Sequence, residues 1–372
     1  MKNSGRALTT LSALIIIIAT LPLLLTGCPR QPAERLPTTT TTRVDERPAL
    51  PQEINGLDQP VAMAFSPDGR IFITERVGRI RIFEEGHLRE QPFATVDVPR
   101  LRGYHETGLL GIALHPDFET QPYIYVYHTH TRDGRLFNRV VRFRDDSGGS
   151  PSPEIIIDNI PAGRIHNGGI IVFGPDENLY ISTGDSGQSN LAQNIDSTAG
   201  KILRVEPNGD IPADNPFPNS PVYSYGHRNV FGMAFHPETG VLYITENGPD
   251  RDDEINRIEA GGNFGWPIVT GRAGDERFID PLTTYTPNIA PTQAIFYTGD
   301  LINNIRGRFI FGAYNTGNLR ALELAGPGNG RVERDEVVFD ANRPIIGVAQ
   351  SPDGAIYIAN TDSIRRIERL ED

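Results

Sequence analysis

One strand–turn–strand phrase recurs along the chain, and this recurrence limits the fold more than any other feature. Ala64-Phe-Ser-Pro-Asp-Gly69 runs into Arg70-Ile-Phe-Ile-Thr-Glu75, and Ala113-Leu-His-Pro-Asp-Phe118 into Tyr123-Ile-Tyr-Val-Tyr127. Val172-Phe-Gly-Pro-Asp176 leads to Leu179-Tyr-Ile-Ser-Thr-Gly-Asp185, Ala234-Phe-His-Pro237 to Leu242-Tyr-Ile-Thr-Glu246, and Ala349-Gln-Ser-Pro-Asp-Gly354 to Ile356-Tyr-Ile-Ala359. In each, a Pro-centred turn separates two runs that alternate apolar and polar residues, the pattern of paired strands. Between Pro67, Pro116, Pro175 and Pro237 the gaps are one repeat of about 50–60 residues; from Pro237 to Pro352 the gap is about two, close to the range of propeller blades. The missing member is expected within 294–314, where Ala294-Ile-Phe-Tyr-Thr-Gly-Asp300 and Arg308-Phe-Ile-Phe-Gly-Ala-Tyr314 supply strands around a longer turn. No segment of 53–372 has sustained helical periodicity, so the expectation is an all-β, six-bladed β-propeller. Radial closure of this kind removes long exposed sheet edges. Residues 363–370 read as the last strand, and the ring is expected to close near Ile54; an open solenoid is the alternative arrangement.

The formal charge of −12 and the lack of any basic stripe exclude nucleic acid as a partner. Lys2 and Arg6 precede an apolar run from Leu8 to Leu25, which reads as an export signal. It ends at Leu25-Thr26-Gly27-Cys28, which resembles a bacterial lipobox with Cys28 as the lipidated residue. Cys28 is the only cysteine, so neither a disulfide framework nor a cysteine metal site is available. The organisation expected is a lipoprotein signal peptide (1–27), a Pro/Thr-rich tether (28–52) and the propeller (53–372). The protein would then be exported and face the periplasm or cell exterior, with membrane contact only through the N-terminal lipid.

Polar residues that could carry chemistry cluster just outside the strands, where loops mount sites on a rigid scaffold. Met233–Phe235 and 241–245 flank the hairpin turn His236-Pro-Glu-Thr-Gly240; Arg228-Asn229 precede it and an acidic run, Asp250-Arg-Asp-Asp-Glu254, follows. Such a run suits a hard cation that takes carboxylates and backbone carbonyls, or equally a solvated loop. His166, in Gly163-Arg-Ile-His-Asn-Gly-Gly169, lies ahead of a strand and reads as a loop histidine, surface or functional.

Taken together, Gly108-Leu-Leu-Gly-Ile-Ala-Leu-His-Pro-Asp-Phe118, His166-Asn-Gly-Gly169, Gly200-Lys-Ile-Leu-Arg-Val205, Ile211-Pro-Ala-Asp-Asn-Pro-Phe217, Tyr225-Gly-His-Arg-Asn229 and 248–256 resemble the glucose/sorbosone dehydrogenase family of soluble quinoproteins. The resemblance runs from about Leu57 to the C-terminus. It implies a calcium-dependent dehydrogenase that uses pyrroloquinoline quinone (PQQ) to oxidise an aldose at C1 to its lactone and passes electrons to a quinone or cytochrome. It further implies His166 as general base, Arg228 and Asn229 as cofactor contacts, and the carbonyls of Gly248 and Pro249 as calcium ligands. Glu254 and the backbone of Phe264 are implied at a second calcium.

The chain departs from that pattern in places. Glu106 stands where the family often has Gln, setting a carboxylate toward an anionic cofactor. The stretch 312–319 lacks the lysine, and Pro344-Ile-Ile346 replaces the arginine pair, that bind the cofactor carboxylates; Arg343 is nearby but out of register. The only lysine of the mature chain, Lys201, lies elsewhere. These losses leave open a second reading, a non-catalytic calcium-stabilised propeller that binds a glycan or protein. A calcium-dependent lactonase is a third, resting on fold analogy alone.

Overall fold

The computed structural model describes residues 50–103, 106–145 and 151–370. The export signal, Cys28 and the tether as far as residue 49 lie outside the described residues. The described chain forms six antiparallel sheets. Blade 1 is built on Pro60–Phe65, Ile71–Glu75 and Arg79–Glu84, with His87–Leu88 and Ala94–Thr95 at its outer edge. Blade 2 comprises Leu109–Leu114, Tyr123–Arg132, Arg135–Arg144 and Glu154–Pro161. Blade 3 comprises Ile171–Phe173, Leu179–Ser182, Lys201–Val205 and Val222–Tyr225. Blade 4 holds Val230–Phe235, Leu242–Glu246, Asp253–Arg257 and Thr283–Tyr285. Blade 5, the one whose turn phrase is disguised, holds Pro291–Phe296, Phe309–Ala313, Asn318–Ala325 and Arg331–Asp340.

Blade 6 contains Gly347–Gln350, Ile356–Ala359 and Ile364–Ile367, and its fourth strand is Glu53–Ile54 from the start of the domain. Glu53 lies opposite Arg365 and Ile54 opposite Ile364, so both ends of the ring are held in one sheet. Each innermost strand packs on the next, and Pro60–Phe65 against Gly347–Gln350 completes the circle. Among the described residues the only helical segments are three short 3-10 turns, and no helix is long and apolar enough to cross a membrane.

Apolar side chains fill the seams between blades. One cluster joins Tyr125 and Tyr127 of blade 2 to Leu179, Ile181 and Leu203 of blade 3. The buried tyrosines satisfy their hydroxyls on backbone carbonyls. Tyr125 donates to Pro207 (2.9 Å), Tyr127 to Asn167 (2.8 Å), Tyr243 to Asn329 (3.1 Å) and Tyr297 to Gly354 (2.6 Å). Apolar contact between blades therefore carries hydrogen bonds that fix their angle.

Strand direction then decides where function can sit. The innermost strands share one sense around the ring, so the residues before them emerge on one face: Gln59, Glu106, His166, Asn229, Ala290 and Ile346. The second strand of each blade runs the other way and ends on that same face, delivering Arg76, Asp185, Asn247, Tyr314 and Thr361. Register shifts at the start of the innermost strand in blades 1, 2, 4 and 5 break the ladder there. Such bulges re-aim side chains at a sheet edge. The Pro-Asp turns occupy the opposite face.

Ile54 is 1% exposed in the closing strand. Ile54→Ala is expected to cost about 2–5 kcal/mol in denaturant unfolding of the full-length chain. Glu53→Ala, on the exposed side of the same strand, is expected to change stability by less than about 0.5 kcal/mol.

Candidate active site

His166 sits between blades 2 and 3 with φ at +59°, a left-handed conformation uncommon for a side-chain-bearing residue. Three contacts hold it. Its N–H donates to Glu106 Oε2 (2.5 Å), its carbonyl accepts from Ser186 (3.0 Å), and its Nδ1 lies 2.7 Å from Asp185 Oδ1. Gly184 makes the approach possible, since a Cβ there would lie 2.1 Å from the His166 oxygen. Asp185 also accepts the Gly187 N–H (2.7 Å) and Trp266 Nε1–H (2.8 Å). A carboxylate with those donors takes a proton from Nδ1 as its third hydrogen bond. The imidazole lone pair is thereby assigned to Nε2, the state a general base requires. Next in the chain, Asn167 bridges Asn138 and Gly163 through its amide and fixes the rest of the loop.

A cavity of about 480 Å³ opens at the axis on this face, and Glu106 and Asn229 are in its wall. Asn229 ties three blades together: its Oδ1 accepts the Gly168 N–H (3.1 Å), and its Nδ2 faces Glu106 Oε2 (3.3 Å) and Asn247 Oδ1 (3.4 Å). Glu106 thus spends one oxygen on the His166 backbone and on Asn229, which places its charge between two N–H donors. Arg228 is half committed. One guanidinium nitrogen donates to the Asn247 carbonyl (2.9 Å), the plane lies 5.4 Å from the Trp266 ring centre, and the buried Nε has no partner. Burial lowers the Arg228 pKa, and the charges of Asp185, Glu246 and Glu106 oppose that. A buried donor left open on a cation is a place for an anionic ligand.

Gly248, Pro249, Glu254 and Phe264 line one small pocket beside Arg228 and Trp266. It leaves about 10 Å³, near the space of one water-sized species. The acidic run divides here, because the alternation of strand Asp253–Arg257 sends its side chains to opposite faces. Asp250 is exposed; Asp253 is used up by the N–H groups of Gly248 (2.8 Å), Ile289 and Ala290 (2.7 Å each). Glu254 turns inward, where Asn256 Nδ2 reaches its Oε2 (2.9 Å) and Glu246 Oε2 (3.4 Å). Burial, then the charge of Glu246, pushes the Glu254 carboxyl well above the usual range. Asn256 Oδ1 and Asn288 Oδ1 are buried acceptors without partners. Among the described residues no cluster of three or more His, Cys, Asp or Glu side chains forms a metal site. An excess of buried negative charge with orphaned oxygens nonetheless fits a hard cation that draws on carbonyls.

Four residues of this region carry no distinctive sequence signal. Asp185 ends a repeat strand, Trp266 lies 81 positions from the carboxylate it supports, and Arg76 follows an ordinary strand. His227 is fully buried, with Nδ1 2.9 Å from Glu246, Nε2 2.8 Å from Ser224 and its ring stacked 4.7 Å from Phe264. Both its nitrogens are occupied, so it braces the loop ahead of Arg228. Lys201 is also fully buried. Its Nζ donates to Leu191 (2.9 Å), Ala192 (3.0 Å) and Ala199 (2.6 Å). Burial pushes its pKa down to about 7. Three carbonyl acceptors nevertheless require three N–H donors, which only the ammonium has, so the geometry favours the charged form. The segment it pins carries Gln193, whose Nε2 donates to the Trp266 carbonyl (2.7 Å).

Fold and site define a six-bladed propeller with a histidine–carboxylate pair beside an axial cavity. The chain belongs to the glucose/sorbosone dehydrogenase family, whose model matches residues 57–369. It is 29% identical to the aldose sugar dehydrogenase YliI of Escherichia coli, over 82% of this chain and 88% of that one. It is 34% identical to quinoprotein glucose dehydrogenase B of Acinetobacter calcoaceticus, over 60% of this chain and 53% of that longer protein. The PQQ-bound aldose sugar dehydrogenase of Streptomyces coelicolor superposes with a TM-score of 0.75 at 32% identity, covering 85% of this chain and 96% of that one.

Lys201→Met leaves the buried Ala199 carbonyl without its described donor, worth about 1–3 kcal/mol when unsatisfied, while Leu191 and Ala192 keep the Asn194 and Gly226 N–H groups. The variant is expected to lose about 1–3 kcal/mol in denaturant unfolding, whereas a surface charge change such as Arg331→Met should fall within about 0.5 kcal/mol.

Proposed function

We propose that this protein is a calcium-dependent quinoprotein that oxidises an aldose at its C1 hydroxyl to the lactone. The observation that carries the reading is the His166–Asp185 pair: a histidine whose free Nε2 is set by a buried carboxylate, anchored through Glu106 to the wall of the axial cavity. In this reading Nε2 takes the hydroxyl proton, and Asp185 stabilises the imidazolium that results. Trp266 and Gly187 hold Asp185 still while it does so, and Glu106 fixes the backbone from which the imidazole projects. PQQ bound at the cavity would supply the acceptor for the C1 hydrogen and its two electrons. Arg228, with its open Nε, and Asn229 are suited to hold that anionic group. Calcium would draw on the carbonyls of Gly248 and Pro249, on Glu254 and on the backbone of Phe264, and would offset the charge that Glu246 and Glu254 bury together. Cys28, at the end of its apolar leader, supports an exported, lipid-anchored enzyme that delivers electrons to a quinone or cytochrome.

The full-length chain, given calcium and PQQ, is expected to reduce an artificial dye in the presence of an aldose, with the lactone as first product by NMR. His166→Ala should lower turnover by about 10²–10⁴-fold, the usual contribution of a positioned base, with calcium-dependent thermal stability unchanged. Sugar-independent dye reduction, or full activity in His166→Ala, would exclude the reading. Chelation is expected to lower the unfolding temperature, and calcium but not magnesium to restore it, because magnesium demands a stricter octahedron and keeps its waters. A chain that gains stability from calcium yet neither binds quinone nor oxidises any sugar would instead be the calcium-stabilised binding propeller.

A further inference from the structure

Nine large apolar side chains are left exposed among the described residues, and five of them, Leu101, Ile165, Ile195, Ile268 and Tyr314, lie at the cavity face. Closing the ring requires none of them. Exposed apolar side chains gathered on one face mark a surface that something else covers. Two of them belong to segments that meet beside the base. Ile165 precedes His166, and Arg164 donates from Nε to the Gly103 carbonyl (3.0 Å), which holds 100–103 against 163–167.

Positive charge surrounds this pair. Arg100 and Arg102 flank Leu101, and Arg164 precedes Ile165. The long hairpin of blade 2 adds more. Leu109 lies opposite His128, and the hairpin stays paired for the four residues beyond, from Thr129 to Arg132. Its tip therefore stands roughly 13 Å above the start of the innermost strand, at about 3.3 Å per residue. Phe137 lies opposite Pro161, at the entry to the His166 loop, and its ring carries Arg132 at 4.8 Å and Arg135 at 6.0 Å. Segments 100–103, 130–139 and 158–167 together hold six arginines and two carboxylates, in a chain of net charge −12. Of those carboxylates, Asp133 is at the hairpin tip, and Asp158 is held by Arg139 (3.1 Å) with Arg132 at 3.8 Å. Among the described residues Arg102, Arg135 and Arg164 form no ion pair. The three segments are distant in sequence, so the fold alone assembles the patch.

We propose that this arginine-rimmed apolar patch docks an acidic one-electron carrier protein, which takes the electrons released at the cavity. This rests on the quinoprotein reading and identifies the partner of that site. Oxidation of one aldose to its lactone yields two electrons and two protons; two carriers accept one electron each in turn, and the protons pass to water. An apolar centre with a charged rim suits a short-lived protein contact, and electron-transfer pairs occupy the small end of interface sizes. Opposite charge speeds such encounters. A second copy of this chain fits less well, because a two-fold contact would set arginines against arginines. Leu50, the first residue described, lies with Phe65 and Pro352 on the Pro-Asp face, so a lipid tether joining there would leave the cavity face open.

The test is turnover of the full-length chain, loaded with calcium and PQQ at saturating aldose, with three acceptors. These are an uncharged artificial dye, a lysine-rich cytochrome c, and the same cytochrome with its lysines succinylated, which reverses its charge. The succinylated protein is expected to be reduced about tenfold faster or more, by kcat/KM, with a rate that falls as salt is raised. Arg132→Glu/Arg135→Glu should lower that kcat/KM by about tenfold or more and leave dye turnover unchanged. Arg331→Glu/Arg334→Glu, the same charge change on the exposed outer strand of blade 5, should alter neither. Should the hairpin variant fold poorly, Leu101→Ser and Arg102→Glu test a separate segment; each should raise KM several-fold for the succinylated protein and not for the dye. Reduction of the dye alone, equal rates with the two cytochromes, or wild-type rates in the patch variants overturn the inference and leave the quinoprotein reading intact. A wild-type dimer that Arg132→Glu/Arg135→Glu dissociates does the same, since the patch would then be a self-contact. Absence of sugar-dependent reduction of any acceptor overturns both.

Discussion

The site depends on the buried carboxylate of Asp185. It is 1% exposed and, among the described residues, no guanidinium or ammonium forms an ion pair with it; what stabilises it is a set of N–H donors from three directions. A charge so placed is tolerable only while those donors stay in position, because an unsatisfied buried carboxylate costs several kcal/mol. That requirement couples distant segments. His166 comes from the entry to blade 3, Gly187 from the loop beyond its second strand, and Trp266 from the loop of blade 4. Asp185 N–H itself donates to the Arg228 carbonyl (2.8 Å), which adds the entry to blade 4. Lys201 reinforces the arrangement from below through the segment that carries Gln193. The tautomer of one imidazole is thus set by the relative placement of two whole blades, which the apolar seams and tyrosine hydroxyls keep rigid.

Electrostatics divide the same face into two regions of different need. Near blade 4, Glu246 and Glu254 are buried together with orphaned amide oxygens, an arrangement short of positive charge. Beside them, Arg228 keeps a buried Nε donor open, an arrangement that can accept negative charge. Trp266 stands between, with its indole N–H on Asp185 and its ring face under Arg228. A cation in the first region and an anion in the second would each relieve a local imbalance without disturbing the other, since a dicationic metal and a multiply charged acid bring opposite signs to adjacent sites.

The fold was legible because the propeller repeats its punctuation. Pro-centred turns at regular spacing identify five blades directly, and the sixth is harder to see only because residues 297–308 replace the tight turn with a longer one containing a 3-10 turn. Closure near Ile54 was legible for a related reason, as an unpaired final strand needs an edge partner. The site was legible only in part. His166, Arg228, Asn229 and the Gly248–Glu254 stretch stand out as motifs, and the structure draws them to one face. The acidic run is less uniform than its sequence suggests, since strand alternation spends Asp253 on backbone amides and leaves Asp250 in solvent. Asp185 and Trp266 were not legible, because their meaning lies in contacts across the ring. The same holds for Glu106: read alone it is a charge that repels an anion, whereas in place it is a brace between the His166 backbone and Asn229.

Radial symmetry has a final consequence for how such a site tolerates change. The second strand delivers a residue to the axial cavity at a comparable place in blades 1, 4, 5 and 6: Arg76, Asn247, Tyr314 and Thr361 all line it. A ligand lying on the axis can be met from any of them. What does not transfer so freely is the His166–Asp185 pair, because it requires the entry loop of blade 3 to meet the loop after its second strand at hydrogen-bond distance, and a glycine, Gly184, to let the backbones approach. Contacts to an axial ligand can be taken from several blades; the proton-transfer geometry is confined to the loops of blade 3.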